Sequence, residues 1–247
     1  MNTDNVLLQR FRAGADQGLL LAICAGSSKD EGGCVAAGAT ACEYLDAFER
    51  GLLSEADVAP TLRRATLAAH DAVLKMSRQP LADLPPLHTV AGARTSLKGI
   101  GAATIAIAAV AGRLWVVHVG GCRAYLLRDG RLRKLNLEHT LSYVPEYRQM
   151  TKSDPSAAHE AADYLWTRSL GTAENAPNFD VSRMELLPGD RALVGSDALT
   201  DQLAATVTSH MPQSLEHAQK ALDAALSATH LPVTFGILDV LNPGSPY

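Results

Sequence analysis

Hydrophobic and polar residues change their spacing along the chain, and the clearest strand patterns lie near its middle. Four short segments rich in β-branched and aromatic residues follow one another there: "ATIAIAAV", "RLWVVHV", "CRAYLLR" and "RLRKL". They are separated by Ala-Gly, Gly-Gly and Asp-Gly, residues that tight hairpin turns favour. The pattern predicts an antiparallel meander over residues 103–135.

Helical periodicity flanks this meander. Residues 34–50 place small and apolar side chains at intervals of three and four, which predicts a helix with one buried face. Ser54 with Asp57 is typical of a helix start, and a second amphipathic segment follows. Further helices are expected near 156–169 and over 214–228.

The last third of the chain adds more strands. Residues 180–197 have the pattern of a strand, a Pro-Gly-Asp turn and a strand, and "VTFGILDVL" predicts a final strand. The stretch 141–156 is loop-like. Antiparallel strands in runs beside helices in runs favour an α+β sandwich over a parallel α/β fold. We expect a single domain over 1–247, with a small flap at 141–165.

Composition narrows the possible functions. The 247 residues are 47% hydrophobic and 19% charged, as in ordinary globular proteins. The net charge of −4 argues against a nucleic-acid-binding protein, which needs a basic face. The basic cluster at 128–134 is expected to be a solvated hairpin end. No export signal or membrane-spanning stretch is visible, and the cysteines lack metal-binding spacing. We therefore expect a cytoplasmic protein with reduced thiols.

One turn has the shape of a binding site without its charge. Residues 19–38, "LLLAICAGSSKDEGGCVAAG", end an apolar strand in a glycine-rich turn before a small-residue helix. Proteins often arrange backbone and carboxylates around a phosphate or a metal at such turns. The turn opens with Ala25-Gly26-Ser27-Ser28, so the end of the strand has no acidic residue.

Five segments of the chain carry motifs in a recognisable order. Residues 2–8 are similar to "NEDAVLL", and residues 19–38 are similar to "LLLAVADGMGGHAGGEVAS". Segments 113–141, 166–171 and 186–203 match "VGDSRAYL" with "DHS", "TRxLG" and "LxPGDxLLLCSDGLTDxL". Together they resemble the metal-dependent serine/threonine phosphatases of the PP2C (PPM) family. The resemblance implies a four-layer α-β-β-α sandwich with two antiparallel sheets.

The mismatches with this family fall on its chemistry. The resemblance implies that carboxylates hold two Mg²⁺ or Mn²⁺ ions, whose bridging water attacks the phosphoester. The family's metal-binding and neighbouring acidic positions are occupied here by Thr3, Ala25, Gly121, Leu231 and Pro232. Ala25 stands where the aspartate that bridges both metals is expected. The residual ligand candidates are Asp4, the carbonyl of Gly26, and Asp197.

The remaining acidic residues also have structural interpretations. Asp197 follows a strand and could cap the next helix. Asp4 is expected to be a solvated charge close to the start of the sequence. Asp30 and Glu31 lie in the turn beside Ala25 and could act as displaced ligands, although a solvated acidic loop is the simpler interpretation.

The substitutions indicate a pseudophosphatase that needs no cofactor and acts by binding a protein in phosphorylation-dependent signalling. That partner would be a kinase, a phosphoprotein or an active phosphatase, with no nucleic-acid or membrane partner. The alternative is a degenerate but active Mg²⁺- or Mn²⁺-dependent serine/threonine phosphatase that uses Asp4, Asp30, Glu31 and Asp197. A third hypothesis is a sensor whose neutral pocket holds a small molecule. The class of partner follows from the family resemblance alone.

Overall fold

Two antiparallel sheets form the framework of the protein. The computed structural model describes residues 3–27, 31–78, 99–158, 161–209 and 233–241. With strands numbered along the chain, the first sheet has the order β1 (Asn5–Ala13), β2 (Asp16–Gly26), β3 (Ala102–Val110), β4 (Arg113–Val119), β7 (Asp180–Glu185). The second sheet has the order β6 (Arg131–Lys134), β5 (Arg123–Arg128), β8 (Arg191–Gly195), β9 (Phe235–Asp239). The helices are α1 (Glu31–Glu49), α2 (Val58–Arg78), α3 (Pro145–Ser153) and α4 (Asp201–Ser209).

The sheets and helices stack in four layers because side chains alternate across each strand. Leu20 of β2 and Phe48 of α1 belong to a core between the first sheet and its helices. Ile23 of β2 and Val194 of β8 belong to a second core between the two sheets. Leu203 of α4 packs on the outer face of the second sheet. The predicted α+β sandwich with two antiparallel sheets is therefore confirmed.

The segment 103–135 contains the four predicted strands, but the prediction of one continuous meander is wrong. β3 pairs with β4 in the first sheet, and β5 pairs with β6 in the second. Gly120-Gly121 therefore carries the chain between sheets. Gly120 has φ of 88°, and a Cβ added there would lie 2.5 Å from the Cβ of Ala103. The Ala-Gly and Asp-Gly pairs are true hairpin turns, with positive φ at both residues.

Two of the predicted helices are confirmed, and a third is wrong. α1 and α2 are confirmed, and Ser54 and Asp57 form the expected capping box at the 3₁₀ turn that leads into α2. The helix expected near 156–169 is wrong for the described residues of that segment, where the chain makes turns. α3 lies instead in the stretch predicted to be a loop, because Pro145 starts a helix, where its missing N–H sacrifices no bond.

Two further predictions concern the helix over 214–228 and membrane-spanning stretches. The helix expected over 214–228 lies outside the described residues. Among the residues that are described, no helix combines the length and apolarity needed to cross a bilayer.

Candidate functional site

Within the described residues, four positions that the resemblance links to metals lie together at one end of the sandwich. β2 ends near Ala25, which is paired with Ala103 of β3, and Gly121 follows the crossing that touches Ala103. A Cβ added to Gly121 would lie 3.0 Å from the Cβ of Asp197, which follows β8. Asp4 is close enough to Asp197 for their charges to interact. We call Asp4, Ala25, Gly121 and Asp197 "the site".

Ala25 places a methyl group where the resemblance implies a bridging carboxylate. Its side chain is buried in the apolar core between the sheets, beside Cys122. Burial raises the pKa of the Cys122 thiol well above its usual value, with Asp197 as a further cause, so Cys122 is a neutral thiol at pH 7. The centre of the site therefore contributes apolar groups.

The glycines of the turn after β2 are required for packing. A Cβ added to Gly26 would lie 2.4 Å from the Cα of Gly33 in α1, so the turn and the helix are in backbone contact. The Ser27 N–H donates to the carbonyl of Gly101 (2.8 Å), and the Ser27 hydroxyl accepts from the Gly101 N–H (3.0 Å). The shape of the turn is thus maintained by contacts that need no ligand.

Trp166 fills the space beside Gly121. A Cβ added to Gly121 would lie 2.5 Å from the indole Nε1 of Trp166, so any side chain there would collide with the ring. The backbone of Trp166 forms a bridge with Thr140, and the next residue, Thr167, donates to the carbonyl of His139 (2.8 Å). Nε1 is buried and has no hydrogen-bond partner in the described structure. This role of Trp166 could not be predicted from the sequence, because it depends on a tertiary contact with Gly121.

The two ends of the segment predicted to be a flap, 141–165, are hydrogen-bonded to each other, and Trp166 follows directly after it. The N–H of Leu141 donates to the carbonyl of Leu165 (2.9 Å), and the N–H of Ser142 donates to the carbonyl of Ala162 (3.3 Å). α3 lies within the excursion. Trp166, the residue directly after this segment, lies beside Gly121 of the site.

Asp4 is held by neighbouring hydroxyls, so its interpretation as a solvated charge is wrong. Its carboxylate is half-buried and accepts hydrogen bonds from Thr234 and Ser196. Burial raises the pKa of Asp4, and the nearby Asp197 carboxylate raises it further, while the two hydroxyls oppose the shift. Thr3, which replaces an acidic residue of the family motif, is buried next to it.

The expectation that Asp197 caps the following helix is also wrong. The hydroxyl of Thr200 accepts from the N–H of Leu203 (3.2 Å), which makes Thr200 the N-cap of α4. Asp197 lies three residues earlier, in a turn where the Leu199 N–H donates to the carbonyl of Ser196 (3.0 Å). Asp201 occupies the first turn of α4.

A buried charge network holds the loop that carries Asp197. The Nη1 of Arg123 donates to the carbonyls of Asp197 (2.6 Å) and Leu199 (3.0 Å). Arg123 also forms an ion pair with Glu138, whose side chain is 1% exposed. Lys134 bonds to Glu138 (2.7 Å) and to Asp201 (3.1 Å). These contacts fix the position of the loop independently of any metal.

Two histidines support the crossing between the sheets. The rings of His118 and His139 lie 4.3 Å apart, and the Nδ1 of His139 is 3.3 Å from the Gly120 N–H that donates to it. Burial, then the nearby His118 and Arg168, lowers the pKa of His139 to about 3. Burial also lowers the pKa of His118. Both rings are therefore neutral at pH 7 and act as structural groups.

The described residues do not fit a pair of divalent ions. Each such ion needs several oxygen ligands, and paired ions need a shared one. Ala25 offers no oxygen from its side chain, and Trp166 takes the space beside Gly121. Across the described ranges, no group of three or more His, Cys, Asp or Glu side chains is arranged to hold a metal. Asp30, Leu231, Pro232 and the side chain of Glu31 lie outside the described structure, so their roles stay predictions.

Sequence comparisons find phosphatases, although no family model matches the chain. The "Serine/threonine protein phosphatase PstP" of Mycobacterium tuberculosis is 32% identical over 134 residues, which are 53% of this chain and 25% of that protein. A "Putative protein phosphatase 2C-type" of Streptococcus pyogenes is 30% identical over 115 residues, 46% of this chain and 45% of that protein. The matched region thus spans from a quarter to just under half of these relatives' length.

Structural comparisons extend the likeness to the whole fold. The catalytic domain of PstP, solved in complex with two manganese ions, has a TM-score of 0.69 at 24% identity, covering 98% of this chain and 93% of that chain. Serine/threonine phosphatase Stp1 of Staphylococcus aureus has a TM-score of 0.72 at 17% identity, covering 98% and 90%. The chain therefore has the same fold as these serine/threonine phosphatases. The sequence relatives, which match about half of the chain, are likewise named as serine/threonine and 2C-type protein phosphatases.

Proposed function

We propose that this chain is a pseudophosphatase, a PP2C-like protein without phosphatase turnover that acts by binding a protein partner in phosphorylation-dependent signalling. The observation that carries the proposal is the packing of the Trp166 indole beside Gly121. A residue with a side chain at this position would displace the ring. The site is thus arranged around an aromatic side chain where the family resemblance implies an acidic residue.

The chemistry of phosphoester hydrolysis gives the reason for expecting no turnover. Two ions generate the attacking hydroxide and neutralise the phosphate, which requires carboxylates that coordinate both. Asp4 and Asp197 are the carboxylates that remain among the described site residues, and Asp4 is already bonded to Ser196 and Thr234. Ala25 removes the shared ligand. Hydrolysis would therefore require substitute ligands.

The preserved scaffold supports a binding role. Arg123 and Glu138 form a buried ion pair that keeps the loop around Asp197 in place. A fold that has kept this packing while its site has lost charge can still present a surface to another protein. The partner that we propose is a kinase, a phosphoprotein or an active phosphatase.

A turnover assay tests this proposal. p-Nitrophenyl phosphate and a phosphoserine peptide are incubated with the protein in millimolar Mn²⁺ or Mg²⁺, with the catalytic domain of PstP as the positive control. We expect the wild-type protein and the Asp197→Asn variant to be indistinguishable from buffer. Metal-dependent turnover by the wild-type protein that Asp197→Asn abolishes would show that the chain is an enzyme.

A further inference from the structure

An arginine-rich groove lies where the outer strands of the two sheets approach each other. It has a volume of about 470 Å³ and is lined by Leu126, Arg128, Asp129, Arg131 and Arg133. All five lining residues belong to the β5–β6 hairpin, and Arg133 also reaches the sulfur of Met184 in β7 (3.9 Å). All of these residues belong to the described structure. The groove takes no part in the site discussed above.

The register of the β5–β6 hairpin brings the arginines onto one face. Arg128 is paired with Arg131, and Leu126 is paired with Arg133. Directly paired residues project from the same side of a sheet, so these side chains share a face. Leu126 belongs to the core between the sheets, which shows that this face points inward. The arginines therefore line the open rim of the sandwich.

Two of the three arginines form no ion pair within the described residues. Arg128 is engaged by Asp190, with bonds of 2.8 and 2.6 Å to its two carboxylate oxygens. Arg131 and Arg133 are exposed, and neither forms an ion pair with any residue in the described ranges. Asp129, in the hairpin turn, is the one carboxylate in the lining. The groove consequently carries a net positive charge in a chain whose overall charge is −4.

The neighbouring backbone is suited to an extended ligand. β6 is the last strand of the second sheet, so within the described structure one edge of its backbone has no strand beside it. An extended peptide can add to such an edge, and every second side chain of the peptide then faces the same side as Arg131 and Arg133. Guanidinium groups bind phosphate oxygens through paired hydrogen bonds, which a lysine ammonium cannot reproduce.

We propose that this groove binds a phosphoserine- or phosphothreonine-containing segment of a partner protein, added as a strand to β6 with its phosphate between Arg131 and Arg133. The inference rests on the proposed function, because a phosphorylated segment remains bound only if the chain does not hydrolyse it. The acidic overall charge disfavours a nucleic acid as the source of the phosphate.

The test measures binding of a fluorescent nine-residue peptide mixture with one central phosphoserine and randomised flanks. The unphosphorylated mixture, a mixture with glutamate at the centre, and inorganic phosphate as a competitor are measured beside it. We expect the full chain to bind the phosphorylated mixture at least tenfold more tightly than the unphosphorylated one. Inorganic phosphate should compete only weakly, because it lacks the backbone that pairs with β6.

A matched pair of variants locates the binding. Arg131→Glu/Arg133→Glu should weaken phosphopeptide binding at least tenfold, and Arg131→Gln/Arg133→Gln should weaken it less. The control is Arg10→Glu/Arg12→Glu, which reverses two exposed arginines with the same spacing on β1, the outer strand of the first sheet. We expect the control to bind within twofold of the wild-type protein.

Three outcomes would overturn the inference: no binding, equal binding of the phosphorylated and unphosphorylated mixtures, or equal losses in the two charge-reversed variants. Phosphate release is followed in the same samples. Release by the wild-type protein would contradict the proposed function, whereas an intact but unbound phosphopeptide would contradict only the assignment of the groove.

Discussion

Two neighbouring regions of this protein contain very different amounts of charge. The network around Arg123 contains a buried ion pair with Glu138, which also binds Lys134 of β6. The site beside it has a methyl group at Ala25, no side chain at Gly121, and the indole of Trp166 next to Gly121. Both regions contact the loop of Asp197. Charge is present where it positions the chain and is reduced where it would hold a metal.

The same contrast occurs within a single segment. Asp190 and Asp197 lie seven residues apart, at the two ends of β8. Asp190 is buried and accepts hydrogen bonds from Arg128 and from the N–H of Leu187 (2.8 Å). Burial opposes its ionisation, but these bonds outweigh burial and lower the pKa of Asp190. Asp190 therefore has a complete structural explanation, whereas Asp197 is the position that the family resemblance links to metal.

The largest effect is expected from breaking the charge network. Arg123→Met leaves Glu138 buried with Lys134 as its remaining cationic partner, and it removes the bonds to two carbonyls. We expect the free energy of unfolding to fall by about 3 kcal/mol, as for other broken buried pairs. Urea denaturation measures it. The control, Arg191→Met, breaks the more exposed pair with Asp239 and should cost less than about 1 kcal/mol. Equal losses would contradict the structural role of the network.

The second effect concerns the indole at the site. Gly121→Ala forces its new methyl group into Trp166 and should destabilise the fold by about 2 kcal/mol, as overpacking does. The control is Gly38→Ala in α1, where the nearest atom is 3.9 Å away and helix propensity predicts a gain of about 0.5 kcal/mol. In a Trp166→Ala background, where the ring is absent, Gly121→Ala should cost less free energy of unfolding than it does in the wild-type protein. Strictly additive effects would mean that Trp166 does not fill this space.

A smaller effect is expected from pH. The folded pKa of His139 is about 3, below the ordinary value of 6.5, so the unfolded chain takes up a proton first as the pH falls. The contribution of neutral His139 to the free energy of unfolding is complete above pH 6.5 and is lost progressively toward pH 3. We expect a loss of about 1 kcal/mol between pH 7 and pH 5.5. Urea denaturation at both values tests this, and His139→Gln should flatten the difference. An unchanged difference would assign the pH dependence to other groups.

The smallest effect is expected at the residual ligand position. Asp197→Asn should change the free energy of unfolding by less than about 1 kcal/mol, because Thr200 caps α4 and Arg123 binds the backbone carbonyl of residue 197, which asparagine retains. Asp190→Asn, which weakens a buried charged contact, should cost about 2 kcal/mol in the same urea experiment. A larger loss at Asp197 than at Asp190 would show that the site depends on that carboxylate for its folded structure.

The sequence predicted those features that follow from local patterns. A continuous apolar run that includes Leu20 and Leu21 indicates a strand with both faces buried. The Asp-Gly pair indicates a hairpin. It could not show that Gly120-Gly121 crosses between sheets, because a close approach to Ala103 is a tertiary contact. It also missed α3, since Pro145 can begin a helix as well as interrupt one.

The sequence predicted some features of the candidate site and not others. The positions of Ala25 and Gly121 were identified from motif alignment, which needs only the order of residues. The role of Trp166 depends on the return of the segment 141–165 to the end of the sandwich, and no local pattern encodes that return. Thr200 was missed as the cap of α4 because Asp197 offered an equally suitable side chain three residues earlier.

A calorimetric titration of the full chain with Mn²⁺ tests most directly whether the site has lost its metals. The catalytic domain of PstP, which was solved with two manganese ions, is the positive control. We expect no saturable heat at Mn²⁺ concentrations up to the millimolar range, and no difference between the wild-type protein and Asp197→Ala. Micromolar binding by the wild-type protein that Asp197→Ala abolishes would contradict the pseudophosphatase assignment.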